Sequence, residues 1–184
     1  MNKEFEAYKT ALRYAENAHR GQVRKYSDSP YILHPIRVER LVCHYAPELY
    51  DDRINLSIAA LVHDTVEDCA ISLSDIRSEF GEHVARMVRD LTHESCFDAN
   101  LSKQNRATRW AADIEKLSKA NLDSRLIKMC DRLDNLNDMP LSDPWTKKYL
   151  VESDTLMNAI SHGLYKVFAD YEQIKDRILN ANVR

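Results

Sequence analysis

The stretch LSIAALVHDTVED, residues 56–68, is the most informative part of the chain. Apart from Ser57, its first seven residues are apolar, which predicts a helix that runs into a buried core. Four ionisable side chains then follow within six positions: His63, Asp64, Glu67 and Asp68. Helical spacing places Glu67 one turn beyond His63 and Asp68 one turn beyond Asp64. Burying such groups is costly unless a metal ion or a water-filled cleft receives them, so we predict a shared cavity. The alternative is a helix end that surfaces into solvent, because short motifs also occur by chance.

The scarcity of glycine extends the helical interpretation to the whole chain. Three of the 184 residues are glycine, and few glycines mean few tight turns. Apolar residues recur at helical spacing, and the prolines fall between the segments that carry this pattern. We therefore predict an all-α fold in a single domain over residues 1–184, with a core at about 5–139 and a helical C-terminal tail at 144–181. The predicted helices span about 2–20, 35–46, 52–69, 72–80, 82–94, 102–119, 122–138 and 144–180, and a break in the last of them near Gly163 is left open.

Charge and hydropathy argue against several classes of partner. The net charge is −3 with acidic and basic residues interspersed, whereas nucleic acids and anionic membranes favour a basic stripe. No apolar run reaches membrane-spanning length, and the N-terminus is charged and amphipathic, unlike a signal peptide. The four cysteines stand far apart and predict buried thiols rather than a zinc knuckle. We expect a cytoplasmic protein with a small-molecule partner, no nucleic acid and no membrane, and a homo-oligomer is left open.

Three further features favour a metal site around His63 and Asp64. His34 lies at a loop-to-helix junction, where the following Pro35 restrains its backbone. The segment LIKMCDRLDNLNDM, residues 126–139, carries Asp131 and Asn135 one helical turn apart. Arg24 and Lys25 lie just ahead of His34, where they could hold a phosphate. Each feature alone is more often a structural histidine, a solvated helix face or surface charge. Together, two imidazoles and two carboxylates suit Mn²⁺, Fe²⁺, Zn²⁺ or Mg²⁺.

The order of these residues resembles that of the HD-domain metal phosphohydrolases: His34, then His63-Asp64, then Asp131. More narrowly, the chain from about residue 11 to 139 resembles the RelA/SpoT-type guanosine polyphosphate hydrolases. The segments that carry this resemblance are AHRGQVRK (18–25), PYILHP (30–35), AALVHDTVED (59–68), FGEHVARMV (80–88) and KMCDRLDNL (128–136). A bare His-Asp pair is weak evidence, but an ordered set of motifs is specific.

The resemblance implies an HD-domain helical bundle that hydrolyses the 3′-pyrophosphate of the alarmone (p)ppGpp. The products would be GDP or GTP and pyrophosphate, and the usual cation of the family is Mn²⁺. On the matching positions, His34, His63, Asp64 and Asp131 would bind the metal, and Glu67 and Asp68 would form the catalytic acid pair. Arg24, Lys25 and Asn135 match substrate-binding residues. Larger members carry a synthetase domain after the hydrolase, so the length of this chain implies a stand-alone small alarmone hydrolase.

The chain departs from the family pattern where substrate binding is concerned. The loop from Arg24 to His34 is one residue longer than usual and carries Tyr26-Ser27-Asp28-Ser29, which bears on base recognition. Asp134 stands where basic or aromatic residues are frequent, and we expect it to weaken phosphate affinity. Beyond Pro140 the resemblance weakens, and no site residue is predicted. Three alternatives therefore stay open: an HD enzyme for an adenosine analogue or NADPH, a catalytically silent nucleotide-binding module, and a helical scaffold without a site.

Overall fold

The computed structural model describes residues 3–46 and 52–181, and the regular structure within these ranges is helical. They contain no β-strand, and one isolated bridge joins Val23 to Pro30. The all-α prediction is therefore confirmed. None of the described helices is long and apolar enough to cross a lipid bilayer. The α-helices are α1 (Lys3–Ala18), α2 (Leu33–Tyr45), α3 (Arg53–Val62), α4 (Thr65–Asp68), α5 (Leu73–Leu91), α6 (Arg106–Ser118), α7 (Leu122–Asp138), α8 (Pro144–Ile160) and α9 (Tyr165–Asn180), and short 3₁₀ turns lie at Glu94–Cys96 and Leu101–Lys103.

Two buried helices, α3 and α7, organise the core. Every residue from Leu56 to Val62 in α3 is buried, and this helix packs against α1, α2 and α5. A helix that is apolar on all sides is stable only when neighbours cover it. Helix α7 is buried along most of its length and packs against α2, α5, α8 and α9. Because α2 contacts both central helices, side chains from all three can meet at one place.

The segment predicted as a C-terminal tail packs against this core. Leu156 and Ile160 of α8 and Tyr171 of α9 belong to the same hydrophobic cluster as α3 and α7. Asp143 caps α8 by accepting a hydrogen bond from the backbone N–H of Trp145. Helix α8 therefore has a defined place beside α7, and it contributes to the cleft described below.

The predicted helix over residues 52–69 is wrong in one respect, because it breaks after Val62. His63 and Asp64 form a turn between α3 and the short α4. His63 Nδ1 lies 2.8 Å from the carbonyl oxygen of Ala60, and the Thr65 hydroxyl donates to the carbonyl of Val62. Side-chain bonds to these carbonyls compete with the backbone bonds that would continue the helix. His63 and Asp64 consequently lie at the end of a buried helix and not within one.

Candidate metal centre and active site

The predicted metal ligands converge where α2, α3 and α7 meet. His34 lies in the first turn of α2, His63 and Asp64 follow α3, and Asp131 lies in the middle of α7. Ligand atoms of His34, His63 and Asp131 all lie within 4.8 Å of one another. Asp64 joins this group, because its Oδ2 is 3.4 Å from His34 Nε2 and its Oδ1 is 3.0 Å from His63 Nε2. Side chains far apart in the sequence thus share one small volume.

The surroundings of both imidazoles direct their Nε2 atoms toward this volume. His63 Nδ1 is 2.8 Å from the carbonyl oxygen of Ala60, and His34 Nδ1 is 2.7 Å from Asp134 Oδ2. Each Nδ1 therefore carries a proton, and in a neutral ring Nε2 presents its lone pair. The buried Nε2 of His63 has no hydrogen-bond partner among the described residues, although Asp64 Oδ1 lies 3.0 Å away. An orphaned imidazole nitrogen beside two carboxylates fits a divalent cation.

Two neighbours on α7 hold the Asp131 carboxylate. Lys128 Nζ lies 3.0 Å from Asp131 Oδ2, and the amide of Asn135 donates to Asp131 Oδ1 at 2.5 Å. Burial favours the protonated acid, but Lys128 and His34 outweigh it and hold the pKa of Asp131 below its ordinary range. Asp131 is therefore ionised, as a metal-binding carboxylate must be. Lys128 was not among the predicted site residues, although its place one helical turn before Asp131 is a usable signal.

The structure corrects the expectation for Asp134. Its buried carboxylate accepts the proton of His34 Nδ1 at 2.7 Å, and it binds Arg37 through Nε at 2.6 Å and Nη2 at 2.9 Å. Asp134 lines neither of the cavities described below, so it does not oppose a phosphate there. A carboxylate behind a metal-binding histidine fixes the ring and makes its other nitrogen more basic. Asp134 therefore supports the candidate metal site.

Replacing Asp134 with asparagine is expected to weaken metal binding by roughly ten- to a hundredfold, as the loss of such supporting carboxylates does. The amide fills the same space but brings no negative charge to His34. Asp138→Asn is the matched control, because Asp138 accepts hydrogen bonds from Arg24 and Arg37 and not from His34. Calorimetric titration with Mn²⁺ compares both variants with the unaltered chain. Equal affinities in all three proteins would contradict a supporting role for Asp134.

The predicted catalytic pair, Glu67 and Asp68, borders the metal ligands. The Tyr31 hydroxyl lies 2.7 Å from Asp64 Oδ2 and 3.1 Å from Asp68 Oδ2, so it links a predicted ligand to the acid pair. Burial raises the pKa of Asp68, and the neighbouring carboxylates of Asp64 and Glu67 raise it further. Glu67 Oε1 lies instead 3.1 Å from His93 Nε2. The two acids therefore have different surroundings, with Asp68 beside Tyr31 and Glu67 beside His93.

The predicted basic pair divides between two environments. Arg24 is largely buried, and its guanidinium donates to Asp138 Oδ2 at 2.9 Å and to Asn135 Oδ1 at 2.8 Å. The side chain of Lys25 is 72% exposed, and its Nζ lies 3.0 Å from the Tyr26 hydroxyl. Arg24 and Asn135, both predicted to bind substrate, are thus in direct contact. Of Arg24 and Lys25, only Lys25 turns its charge toward solvent.

Two adjoining cavities open beside the metal ligands. The metal cavity has a volume of about 440 Å³, and the aromatic cavity has a volume of about 350 Å³. Tyr31, Asn135 and Tyr149 line both cavities and form the boundary between them. The metal cavity is also lined by Asp64, Glu67, Asp68, His93, Ser95, Arg106, Arg109, Trp110, Asp113, Lys128, Asp131 and Arg132. The aromatic cavity is also lined by Val23, Arg24, Lys25, Tyr26, Met139 and Trp145.

The arginines of the metal cavity were not among the predicted site residues. Arg106 and Arg109 lie one helical turn apart on α6, which is the signal that the sequence offered. The Arg132 guanidinium lies over the ring of Trp110 at 4.7 Å and over that of Tyr149 at 4.4 Å. Its buried Nε and Nη1 have no hydrogen-bond partner among the residues that the structure describes. Arg109 and Arg132 add positive charge to a cavity rich in carboxylates, as a phosphorylated substrate requires. The guanidinium of Arg106 is instead paired with Glu152, at 2.9 Å through Nε and 2.6 Å through Nη2.

Comparisons with known proteins identify the family of this chain. The profile of the HD domain family matches residues 11–157, a range that includes all the predicted ligands. The guanosine-3′,5′-bis(diphosphate) 3′-pyrophosphohydrolase MESH1 of Drosophila melanogaster is 36% identical over 140 residues, which cover 74% of this chain and 73% of that protein. MESH1 of Homo sapiens is 34% identical over 145 residues, which cover 77% of this chain and 75% of that protein.

A solved structure has a fold similar to that of this chain. It is described as a metazoan ortholog of SpoT that hydrolyzes ppGpp, and it matches 93% of this chain and 94% of its own with a TM-score of 0.79 and 26% identity. The family match covers most of the chain, and relatives above 30% identity share most of their length with it. This chain therefore belongs to the HD-domain family of metal-dependent hydrolases, in the branch that holds the MESH1-type guanosine-3′,5′-bis(diphosphate) 3′-pyrophosphohydrolases.

Proposed function

We propose that this chain hydrolyses the 3′-pyrophosphate of guanosine polyphosphates, converting (p)ppGpp to GDP or GTP and pyrophosphate, with Mn²⁺ as its cation. The observation that carries the proposal is the convergence of two imidazoles and two carboxylates, and the two carboxylates, Asp64 and Asp131, line a cavity that also holds Glu67, Asp68 and arginines. The names of the MESH1 relatives state the same activity for those proteins. We further propose that residues 1–184 act as one HD-type domain.

His34, His63, Asp64 and Asp131 are the residues that would hold the cation. A divalent cation in this site supplies a Lewis acid that activates water and neutralises charge on the reacting phosphate. The mixed set of imidazoles and carboxylates suits Mn²⁺ and needs no thiol. Lys128 would keep Asp131 ionised in its place, and Asp134 would fix the ring of His34. The chain thus provides both the ligands and the groups that orient them.

Glu67 and Asp68 would divide the proton transfers of the reaction. A water oxygen bonds to the phosphorus next to the ribose, and the bond from that phosphorus to the 3′ oxygen breaks. Glu67 accepts the proton of the attacking water. Asp68, whose pKa is raised by burial and by neighbouring carboxylates, holds a proton for the leaving 3′ oxygen. Acid–base assistance of this kind contributes roughly 10²- to 10⁴-fold to the rate.

The two cavities would receive different parts of the substrate. The 3′-pyrophosphate suits the metal cavity, where Arg109 and Arg132 provide positive charge. The purine suits the aromatic cavity, because Tyr26 and Trp145 offer flat apolar walls to a flat base. Arg24, Lys25 and Asn135 also border that cavity, in agreement with their predicted contact with substrate. The loop that departs from the family pattern thus lies at the predicted base site.

A panel of nucleotides tests the proposal. The protein is stripped of metal with a chelator, reloaded with Mn²⁺ and incubated separately with ppGpp, pppGpp, the adenosine analogue of ppGpp and NADPH. Anion-exchange chromatography identifies the products. We expect equimolar GDP and pyrophosphate from ppGpp, and no release without the cation. Turnover of NADPH or of the adenosine analogue with ppGpp untouched would assign the site to another nucleotide. Tight ppGpp binding without pyrophosphate release would indicate a silent binding module.

A further inference from the structure

His93 lies between two carboxylates at the edge of the metal cavity. Its Nδ1 is 2.5 Å from Asp113 Oδ2, and its Nε2 is 3.1 Å from Glu67 Oε1. Its backbone N–H also donates to Glu67 Oε2 at 3.2 Å. A single residue therefore contacts both oxygens of the proposed catalytic base.

Asp113 anchors this arrangement from α6. Its side chain is buried, and its Oδ1 accepts a hydrogen bond of 2.7 Å from the backbone N–H of Glu94. Its Oδ2 faces His93, so each oxygen of Asp113 contacts one of two successive residues. These residues begin a short 3₁₀ turn, and a turn of this length has few hydrogen bonds of its own. Asp113 therefore ties the turn, and with it His93, to α6.

The surroundings of His93 favour its doubly protonated form. Asp113 and then Glu67 raise the pKa of His93 to about 9, against the opposing effects of burial and of the nearby Lys128. His93 is therefore positively charged at neutral pH. Among the described residues, the charged groups that act on the pKa of His93 are Asp113 on α6, Glu67 on α4 and Lys128 on α7. Glu94 and Cys96 lie on its own turn, where Lys116 of α6 pairs with Glu94, and Cys96 interacts with Glu67, Asp68 and Asp113.

We propose that His93 is a positioning residue for the hydrolysis: its imidazolium and its backbone N–H hold the Glu67 carboxylate in place, and Asp113 holds His93. The inference rests on the proposed function, in which Glu67 takes a proton from water. A general base must lie within hydrogen-bond reach of that proton, and a misplacement of about 1 Å costs roughly a hundredfold in rate. None of the contacts of His93 described above involves a predicted metal ligand, so its effect on rate is separable from metal binding.

The charge of His93 gives this role a pH signature. A neutral imidazole has one N–H, and the shorter contact, to the buried Asp113, retains it. Above its pKa, His93 therefore turns a lone pair toward Glu67 Oε1. We expect kcat to fall as the pH rises through about 9, the pKa of His93. In His93→Gln, which has no titrating group at this position, that fall is expected to disappear.

Steady-state kinetics on the Mn²⁺-loaded protein test the proposal with His93→Ala, His93→Gln and Asp113→Asn. We expect His93→Ala to lower kcat roughly tenfold to a hundredfold, with KM and Mn²⁺ affinity unchanged. His93→Gln is expected to recover part of this loss, because its amide can donate to Glu67. His83→Gln is the matched control: His83 also pairs with an aspartate, Asp52, at 2.6 Å, but lies outside both cavities. This control is expected to keep the full rate.

A second readout does not require turnover. Nitrogen NMR of the histidine rings in the Mg²⁺-loaded protein follows protonation, and the His93 signal is identified by its loss in His93→Gln. We expect this ring to titrate near pH 9 and to titrate at a lower pH in Asp113→Asn. An unchanged kcat in His93→Ala, or a fall above pH 9 that persists in His93→Gln, would overturn the role of His93 alone. Absence of ppGpp hydrolysis by the unaltered chain would instead remove the proposed function and this role with it.

Discussion

Replacing Asp64 with alanine is expected to lower the rate of ppGpp hydrolysis by at least roughly a thousandfold, because catalysis by a bound cation is lost with its ligands. The two oxygens of Asp64 lie 3.0 Å from His63 Nε2 and 3.4 Å from His34 Nε2. Its removal leaves two imidazoles with Asp131 as the remaining predicted carboxylate ligand, and it deprives the Tyr31 hydroxyl of an acceptor. Both kcat and Mn²⁺ affinity should fall, as measured by initial rates and by calorimetric titration.

Two companion variants show whether this loss is specific. Asp64→Asn keeps the size of the side chain and removes its charge, so we expect most of the activity to be lost there as well. Asp154→Ala removes an aspartate that pairs with Lys175 at 2.6 Å outside both cavities, and it should keep the full rate. Circular dichroism verifies that each variant is folded. Comparable rates in Asp64→Ala and the unaltered chain would exclude Asp64 from the mechanism.

Replacing Glu67 with glutamine is expected to lower kcat by roughly 10²- to 10⁴-fold, the contribution of a general base. The amide has the size of the carboxylate, and its oxygen can still accept the backbone N–H of His93, which donates to Glu67 at 3.2 Å in the unaltered chain. It cannot take a proton from water at neutral pH. Mn²⁺ affinity should be retained, because Glu67 is not among the predicted ligands. Single-turnover rates and Mn²⁺ titrations on the same samples measure the two effects separately.

Comparing Asp64→Ala with Glu67→Gln separates the loss of the metal from the loss of the general base. Asp64→Ala should lose both rate and metal, whereas Glu67→Gln should lose rate alone. Glu82→Gln is the matched control, since Glu82 is exposed and pairs with Arg77 on α5, and it should behave as the unaltered chain. A full rate in Glu67→Gln would show that another group accepts the proton. A loss of Mn²⁺ affinity in that variant would place Glu67 among the ligands.

The class of fold was predictable because few glycines and regular apolar spacing leave little choice besides packed helices. The break after Val62 was not predictable, because each residue from Leu56 to Asp68 is compatible with one helix. The break depends on which backbone carbonyls the side chains of His63 and Thr65 contact. The difference in free energy between such local bonds and a continued helix is small, so the sequence alone does not decide between them. Periodicity indicates which segments are helical, whereas individual side-chain hydrogen bonds decide where a helix ends.

The residues that converge on the candidate metal centre were identified from an ordered set of motifs, while most of their supporting groups were not. The metal cavity is lined by His93, Asp113 and Arg106 because of how α6 and the turn before it pack in the folded chain. No local pattern encodes the placement of His93 and Asp113, and for Arg106 the sequence offers only its spacing from Arg109. Asp134 was misinterpreted for a related reason, because its role depends on His34, a hundred positions away. Spacing along one helix could not show which partner its carboxylate meets.

The division of the cleft by Tyr31, Asn135 and Tyr149 has a consequence for the design of inhibitors. A flat aromatic fragment fits the aromatic cavity and a small chelating anion fits the metal cavity, so the two fragments are expected to bind together without competing. A short linker that passes this boundary would make the second binding event intramolecular. Linkage of this kind raises overall affinity by roughly 10²- to 10⁴-fold over the separate fragments when the geometry permits both contacts. A molecule that joins the two fragments through such a linker is therefore a better lead compound than an improved ligand for one cavity alone.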